Sequence, residues 1–301
     1  MRPQVTEFFH APTSTFSYVV QDPQTNRAAI IDSVLDYDNK SGRTSTESAD
    51  SIVELATTRD LAVDWILETH AHADHLTAAP YLQSRLGGKI AIGIGIRQVQ
   101  STFADIFNLK DLNTNGVQFD HLFEDFETFA IGTLSGRVIP TPGHTSDSVS
   151  YLIGDAVFVG DTLFAPDYGT ARADFPGGDA RTLYRSIHRL FDLPDDTRVF
   201  LCHDYAPNDR APQHTYRLDE QRAANVHAHL GVSEDAFVAM RQARDATLEM
   251  PNLLIPSVQV NIRAGRLPPA EDNGVAYLKV PLNVLGMRRS PAAPANPKTR
   301  S

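Results

Sequence analysis

Four apolar segments of this 301-residue chain each run into a histidine or an aspartate. VDWILET is followed by His70, GRVIPTPG by His144, AVFVG by Asp161 and RVFLC by His203. The segments have the length and apolar content of buried β-strands. Because strand ends are rigid and the loops at one rim of a sheet converge, we expect the four side chains to lie close together. A chain of this kind needs a layered fold built on sheets.

The stretch ETHAHADH, residues 68–75, adds three more candidate ligands: His72, Asp74 and His75. Histidine and carboxylate ligands suit zinc, iron or manganese, and no thiolate lies near the motif to suggest a cysteine-rich structural zinc site. A lone His-x-His more often belongs to packing, but the further strand-end ligands outweigh that interpretation. The set exceeds what one structural ion needs, so we predict a metal centre with positions open for chemistry.

Composition and charge limit the partners of the chain. The net charge of -10 argues against non-specific nucleic-acid binding. No segment approaches the ~20 apolar residues of a membrane span, and the N-terminus MRPQVTEFFHAPTSTF has no apolar stretch typical of a secretory signal. Cys202 is the only cysteine, which excludes an internal disulfide and fits a cytoplasmic location. Its place on a buried strand favours core packing over a nucleophilic role.

Helical patterns alternate with these strands. Helical spacing is found in TESADSIVELATTRDL, LTAAPYLQSRLGG, ARTLYRSIHRLFDLP and SEDAFVAMRQARDATLEM. Helices mixed with apolar strands predict a layered α/β or α+β domain. The final residues, 288–301, are rich in proline and alanine and have little to bury, so we expect a disordered tail there.

The motifs THAHADH, GHT, GDTLF and CHDY, in this order, resemble those of the metallo-β-lactamase superfamily. The resemblance covers the chain from about Glu7 to Asn283. It implies an α+β fold, the αββα sandwich, with the site at one edge between two sheets and a C-terminal extension. We therefore expect a catalytic domain over residues 1–230, a helical and extended segment over 231–287 packed on it, and the tail over 288–301.

Within the superfamily, the chain resembles the persulfide dioxygenase branch, which is related to glyoxalase II. The alanine in HADH and the ending CHDY, in place of a GHEY-like ending, are similar to that branch. So is the segment DYGTARADFPGGDARTLYRSI, residues 167–187. Its matching residues are Arg172, Asp174, Phe175, Gly178, Leu183 and Tyr184.

The resemblance implies one Fe(II) per chain, held by His70, His144 and Asp161. Two histidines and one carboxylate are the ligand set of non-haem Fe(II) oxygenases. The same resemblance implies that the four remaining candidates form an outer layer that orients the ligands; these are His72, Asp74, His75 and His203. In glyoxalase II the matching positions complete a two-metal site, so a second metal stays open.

The activity implied is the oxidation of glutathione persulfide by O2 to sulfite and glutathione, as in sulfide detoxification. Glutathione carries two carboxylates, for which a chain of this net charge needs specific partners. Arg172 is the first candidate for binding them, and Tyr184 could donate a hydroxyl. Arg263 and Lys279 follow from the family pattern of a C-terminal segment near the substrate. Paired subunits, a homodimer, also fit this branch.

Three other functions compete with the dioxygenase. A binuclear hydrolase of glutathione thioesters, as in glyoxalase II, would need all seven candidate ligands around two metals and a bridging hydroxide. A metal-dependent lactonase or nuclease is compatible with the HxHxDH motif alone, although no basic groove with interleaved aromatics supports a nuclease. A non-enzymatic binding module fits poorly with a ligand set that leaves coordination positions open.

Overall fold

The structure, a computed structural model, describes residues 2–286, so the tail expected over 288–301 lies outside the described residues. The strands are β1 (Gln4–His10), β2 (Thr15–Gln21), β3 (Arg27–Ile31), β4 (Val34–Asp38), β5 (Arg43–Ser45), β6 (Ala62–Leu67), β7 (Leu76–Thr77), β8 (Lys89–Gly93), β9 (His121–Phe123), β10 (Thr128–Ile131), β11 (Leu134–Pro140), β12 (Val149–Ile153), β13 (Ala156–Phe158), β14 (Arg198–Phe200) and β15 (Thr215–Arg217). The helices are α1 (Glu47–Thr58), α2 (Ala79–Leu86), α3 (Ile96–Phe107), α4 (Ala180–Phe191), α5 (Leu218–Ala224), α6 (Glu234–Asp245) and α7 (Leu254–Asn261), with a short 3-10 helix at Pro207–Asp209.

Two six-stranded sheets form the centre of the described chain. The first has the order β1-β2-β3-β6-β8-β9 and the second the order β10-β11-β12-β13-β14-β15. Strands β3, β6, β8 and β9 run parallel, whereas the second sheet is antiparallel except for the β13–β14 pair. A small sheet, β5-β4-β7, lies beside them.

The strands alternate their side chains between two apolar layers. In β2, Tyr18 and Val20 face the second sheet, whereas Val19 faces the helices on the other side. The layer between the sheets includes Tyr151 and Phe158 from the second sheet. Both faces are buried in the central strands β2, β3, β8, β12 and β13, and these strands are almost continuously apolar.

Helices cover both outer faces. Helices α1, α2, α3 and α7 contribute to the apolar cluster on the first sheet, and α4, α5 and α6 to the cluster on the second. The α+β fold and the αββα sandwich expected from the sequence are therefore confirmed. None of the described helices is long and apolar enough to cross a membrane.

The C-terminal segment connects the two helical layers. Phe237 of α6 packs in the cluster on the second sheet, whereas Leu254 and Val258 of α7 pack in the cluster on the first. The residues between the two helices, 246–253, therefore pass over one edge of the sandwich. The segment beyond residue 230 packs on the rest of the chain; its separation into a domain stays a prediction.

Candidate metal centre

The seven candidate ligands meet at one edge of the sandwich. The first cluster consists of His70, His144 and Asp161, whose ligand atoms all lie within 4.8 Å of one another. Oδ2 of Asp161 is 3.5 Å from Nε2 of His144 and 3.9 Å from Nε2 of His70. All three side chains are buried.

A second cluster consists of His72, Asp74, His75 and His203, with ligand atoms within the same 4.8 Å limit. Nε2 of His203 lies 3.1 Å from Oδ2 of Asp74 and 3.3 Å from Oδ1 of Asp161. Asp161 therefore presents one carboxylate oxygen to each cluster. Its position between them would allow it to contact one ion or to bridge two.

Parallel pairing places Asp161 beside His203. In β13 and β14, Phe158 is in register with Phe200. Asp161 follows Phe158 by three residues, and His203 follows Phe200 by the same number. Equal offsets from a paired position bring the two side chains to the same height at the edge of the sheet.

Hydrogen bonds outside the first cluster fix which ring nitrogen of each histidine faces inward. Nδ1 of His144 donates to the carbonyl oxygen of Arg172 at 2.7 Å. Nδ1 of His70 lies 3.1 Å from Oγ1 of Thr69, and that hydroxyl donates to Asp32 at 2.9 Å. The Thr69 oxygen is therefore the acceptor for His70, and both histidines keep an Nε2 lone pair directed at Asp161.

The second cluster has the same kind of support. Nε2 of His72 donates to Oδ1 of Asp32 at 3.0 Å, which leaves Nδ1 facing the cluster. Nδ1 of His203 lies 3.3 Å from Oγ1 of Thr15. Asp32 also accepts from the backbone N–H of Thr69 at 2.7 Å, so this one buried carboxylate orients groups of both clusters.

Unpaired buried atoms show that the site suits a metal ion. Within the described chain, atoms without a hydrogen-bond partner include Nε2 of His70, Nδ1 of His72, both ring nitrogens of His75, Nε2 of His203, Oδ2 of Asp74 and Oδ1 of Asp161. A buried polar atom without a partner costs about 1–3 kcal/mol, so a cation bound among these converging atoms would remove a large unfavourable term. Nitrogen and carboxylate donors of this kind fit zinc, iron or manganese.

The protonation states of His70 and His72 favour the same conclusion. Burial lowers the pKa values of His70 and His72 well below the usual range, so both keep a free lone pair at neutral pH. Burial also lowers the pKa of His203, but the carboxylates of Asp74 and Asp161 more than offset this and raise it. The two carboxylates thus favour a positive charge on or beside the His203 imidazole. Burial raises the pKa of Cys202 well above normal, which disfavours the thiolate that a metal would need.

A cavity of about 350 Å³ opens onto the clusters. Its floor includes Asp74, His144 and Asp161. Aromatic rings form much of its wall, and residues of the C-terminal segment close the far side; the lining includes Phe164, Tyr168, Phe175, Tyr205, Arg241, Arg244, Leu248, Glu249, Pro251, Asn252 and Leu253. A small organic molecule can therefore approach the first cluster.

Arg172 is the one expected substrate-binding residue that lines this cavity. Its guanidinium makes two hydrogen bonds to Asp174, at 2.6 and 2.9 Å. It also donates to the carbonyl oxygen of Glu249 at 2.6 Å and lies over the ring of Phe175. These contacts hold the C-terminal wall of the cavity against the loop that follows Asp161.

The other three expected substrate-binding residues lie elsewhere. The hydroxyl of Tyr184 donates to Val232 O at 2.8 Å, on the face of α4 that packs against α6. Arg263 lies beyond α7 and pairs with Asp111 at 3.0 Å, and Nζ of Lys279 donates to Asn108 O at 2.7 Å. The structure does not bring Tyr184, Arg263 or Lys279 to the cavity.

Three residues near the site were not singled out in the sequence. Asp32 follows β3 and supports both clusters, in the same strand-end position that marked the ligands. Arg244 lies over the ring of Tyr168 at 5.8 Å, and it forms no ion pair within the described chain. Asn261 of α7 donates to the carbonyl oxygens of His72 and His75. No local sequence pattern marks the last two.

Residues 10–203 match the model of the metallo-beta-lactamase superfamily, and the chain belongs to this superfamily of metal-dependent enzymes. It is 53% identical over 292 residues to a probable metallo-hydrolase of Burkholderia pseudomallei (strain 1710b), covering 93% of this chain and 99% of that protein. It is 50% identical over 285 residues to glyoxylase B2 of Dictyostelium discoideum, covering 94% of this chain and 98% of that protein. The chain spans 65% of the length of the beta-lactamase hydrolase-like proteins that it also matches.

The chain is also similar, at lower identity, to ETHE1 proteins. The human mitochondrial persulfide dioxygenase ETHE1 is 29% identical over 265 residues, which cover 86% of this chain and 87% of that protein. The crystal structure of ETHE1 from Myxococcus xanthus superposes with a TM-score of 0.71 at 29% identity, covering 88% of this chain and all of that one. These similarities support the persulfide dioxygenase branch expected from the sequence, whereas the names of the more similar relatives point to hydrolysis.

Proposed function

We propose that this protein is a non-haem Fe(II) dioxygenase that converts glutathione persulfide and O2 to sulfite and glutathione. The observation that carries the proposal is the cluster of His70, His144 and Asp161 beneath the cavity. Two histidines and one carboxylate leave coordination positions open for a substrate and O2. One bound iron would supply the redox chemistry that O2 needs. The similarity to the ETHE1 proteins supports the same branch.

The chain's own residues would bind and enclose the substrate. The terminal sulfur of the persulfide gains both atoms of O2, and water then releases glutathione and sulfite. The rings of Phe164 and Phe175 belong to the cavity wall near Asp161 and His144 and would limit the entry of water. The cavity rim carries Arg244, whose charge is unpaired within the described chain, and Arg172, whose charge is already paired with Asp174.

Arg244 is therefore our first candidate for binding a carboxylate of glutathione. Replacing Arg244 with alanine is expected to raise KM for glutathione persulfide about 10- to 100-fold with little change in kcat, because a hydrogen bond to a charged group contributes about 1.5–3 kcal/mol. Steady-state O2 uptake at varied persulfide concentration measures both constants. The control is Arg185→Ala, which removes an exposed arginine of α4 that pairs with Glu234 outside the cavity. An unchanged KM in R244A would show that Arg244 does not bind the substrate.

A second candidate function is a binuclear hydrolase of glutathione thioesters. The second cluster favours it, because His72, Asp74, His75 and His203 are all present and Asp161 has an oxygen directed at them. The similarity to glyoxylase B2 supports it as well. Two ions sharing a carboxylate could lower the pKa of a bridging water to near neutrality.

Metal content and O2 uptake on one sample separate these two functions. The metal-free protein is loaded with Fe(II) without oxygen, its metal content is determined, and glutathione persulfide is added while O2 and sulfite are followed. We expect one iron per chain, consumption of O2 and formation of sulfite. Two metals per chain, no O2 uptake and rapid cleavage of S-lactoylglutathione would refute the dioxygenase. A homodimer stays a prediction.

A further inference from the structure

The side chain of Asn261 ends inside the metal-binding loop, residues 70–77. Its Nδ2 donates to the carbonyl oxygens of His72 and His75, each at 2.8 Å. Its Oδ1 accepts from the backbone N–H of Thr77 at 2.9 Å. One carboxamide therefore makes three hydrogen bonds, all to the backbone of this loop, and the side chain is buried.

These bonds hold the second half of the loop. The first half is held by Asp147, which accepts from the backbone N–H of Ala71 at 2.9 Å. Asn261 joins the carbonyl groups on either side of Ala73 and Asp74, and so limits the backbone angles that direct the Asp74 carboxylate. A buried carbonyl that loses its donor costs about 1–3 kcal/mol, so the loop has a strong preference for this arrangement.

His75 depends on this backbone support more than the other histidines of the site. Each of the other four has a hydrogen bond to one ring nitrogen. Within the described chain, neither ring nitrogen of His75 has such a bond, and the nearest charged group is Oδ1 of the neighbouring Asp74, 3.5 Å from Nδ1 and on the same loop. Its ring lies 4.2 Å from that of His72, centroid to centroid. The direction of the His75 imidazole therefore depends on the backbone of this loop, which Asn261 holds and which also carries the neighbouring Asp74 and His72.

Asn261 itself cannot shift easily. Val258 and Val260 of α7 and the following Ile262 are almost completely buried. The carbonyl oxygen of Ile262 accepts from Nε2 of Gln100 on α3 at 2.8 Å, which fixes the end of the helix. The carboxamide is thus presented from a rigid element and not from a loop.

We propose that Asn261 is a positioning residue of the metal centre, so that the C-terminal segment beyond the matched family region 10–203 is part of the metal site. Its role is to hold the loop in the form that directs Asp74 and His75 inward. The inference depends on metal binding at this edge and not on the reaction that follows. The same segment also forms the cavity wall from Arg241 to Leu253, so one element supports both the ion and the substrate site.

The chain contains a closely matched control for this role. Gln259 lies on the same helix, is fully buried and also makes three hydrogen bonds with backbone groups. Its Nε2 donates to Ile255 O at 2.8 Å and to Lys279 O at 2.9 Å, and its Oε1 accepts from Lys279 N at 2.9 Å. None of these partners belongs to the metal-binding loop. Asn261→Leu and Gln259→Leu therefore remove equal numbers of bonds from one helix.

The test measures Co(II) binding to the full chain by competition with a chelator, together with the visible absorption of the bound cobalt. We expect N261L to weaken Co(II) binding about 10- to 100-fold, the usual effect of losing a residue that supports a metal site from outside the ligand set, and to change the cobalt spectrum. Q259L should keep the wild-type affinity and spectrum. Both variants should unfold at lower temperature than the wild type.

Two results would overturn the proposal. One is a wild-type cobalt affinity and spectrum in N261L, and the other is an equal loss of cobalt affinity in N261L and Q259L. If N261L does not fold, Asn261→Ser, which retains a hydroxyl donor in a smaller side chain, is compared with Q259L in the same way. Because cobalt binding is measured without substrate, failure of the Fe(II)-loaded protein to consume O2 in the separate activity assay would refute the dioxygenase and leave the role of Asn261 intact.

Discussion

Replacing His144 with alanine is expected to lower kcat/KM for glutathione persulfide by at least about a thousand-fold, equivalent to about 4 kcal/mol of transition-state stabilisation. His144 directs Nε2 at Asp161 and borders the cavity, and its removal leaves the proposed iron with one histidine and one carboxylate. Iron content per chain should fall with the rate. Iron analysis and O2 uptake on the same preparation measure both quantities.

Two comparison variants define what the His144 result means. His121→Ala removes a partly exposed imidazole of β9 that pairs with Glu127 away from the site, and it should leave iron content and rate unchanged. His203→Ala should lower kcat/KM only about 10- to 100-fold if His203 orients Asp161 without binding the iron. Equal and very large losses of kcat/KM and of bound metal in H144A and H203A would favour the binuclear hydrolase. An H144A protein that keeps its iron and its rate would exclude the proposed ligand set.

Replacing Asp32 with alanine is expected to lower the free energy of unfolding of the metal-free protein by about 3–5 kcal/mol, the usual cost of removing one partner of a buried charged network. Asp32 accepts three hydrogen bonds, from Thr69 N, Thr69 Oγ1 and His72 Nε2, and all three donors would be left buried and unpaired. Its backbone also has a φ of 51°, which alanine tolerates less well than aspartate. Urea unfolding followed by circular dichroism gives the value.

The control for Asp32 is Asp38→Ala. Asp38 lies exposed at the end of β4 and accepts bonds from Lys40 N and Ser41 Oγ in a surface turn. Its replacement should change stability by no more than about 0.5 kcal/mol, as is usual for surface positions. If D32A unfolded at the same urea concentration as the wild type, the three hydrogen bonds of the Asp32 carboxylate would make no net contribution to the stability of the metal-free protein.

The sequence predicted the parts of the site that depend on strand order. Asp161 and His203 could be placed together because each follows an apolar strand at a fixed distance, and the parallel register of β13 and β14 makes those distances equal. Arg244 and Asn261 could not be placed this way. Their positions depend on how α6 and α7 pack on opposite sheets, and contacts of this kind leave no periodic signal in the chain.

The expected substrate residues show the same limit. Tyr184, Arg263 and Lys279 followed from a family pattern, but each side chain has a partner away from the cavity in the structure. Arg172 does line the cavity, although its charge is paired with Asp174. A residue type in the expected segment gives no information about which face of its helix or loop reaches the ligand.

The shared carboxylate of Asp161 would make the proposed chemistry of this chain depend on which metal ions are supplied. One of its oxygens faces His70 and His144, and the other faces His203 of the second cluster, so the same side chain could bind a single ion or bridge two. Zinc binds such ligands more tightly than ferrous iron in the general order of divalent-metal affinities. The same polypeptide, produced in zinc-rich and in iron-rich medium, is therefore expected to be isolated as two different metalloproteins. If each metal form carries out its own reaction, control of metallation during biosynthesis would select the reaction as much as any side chain does.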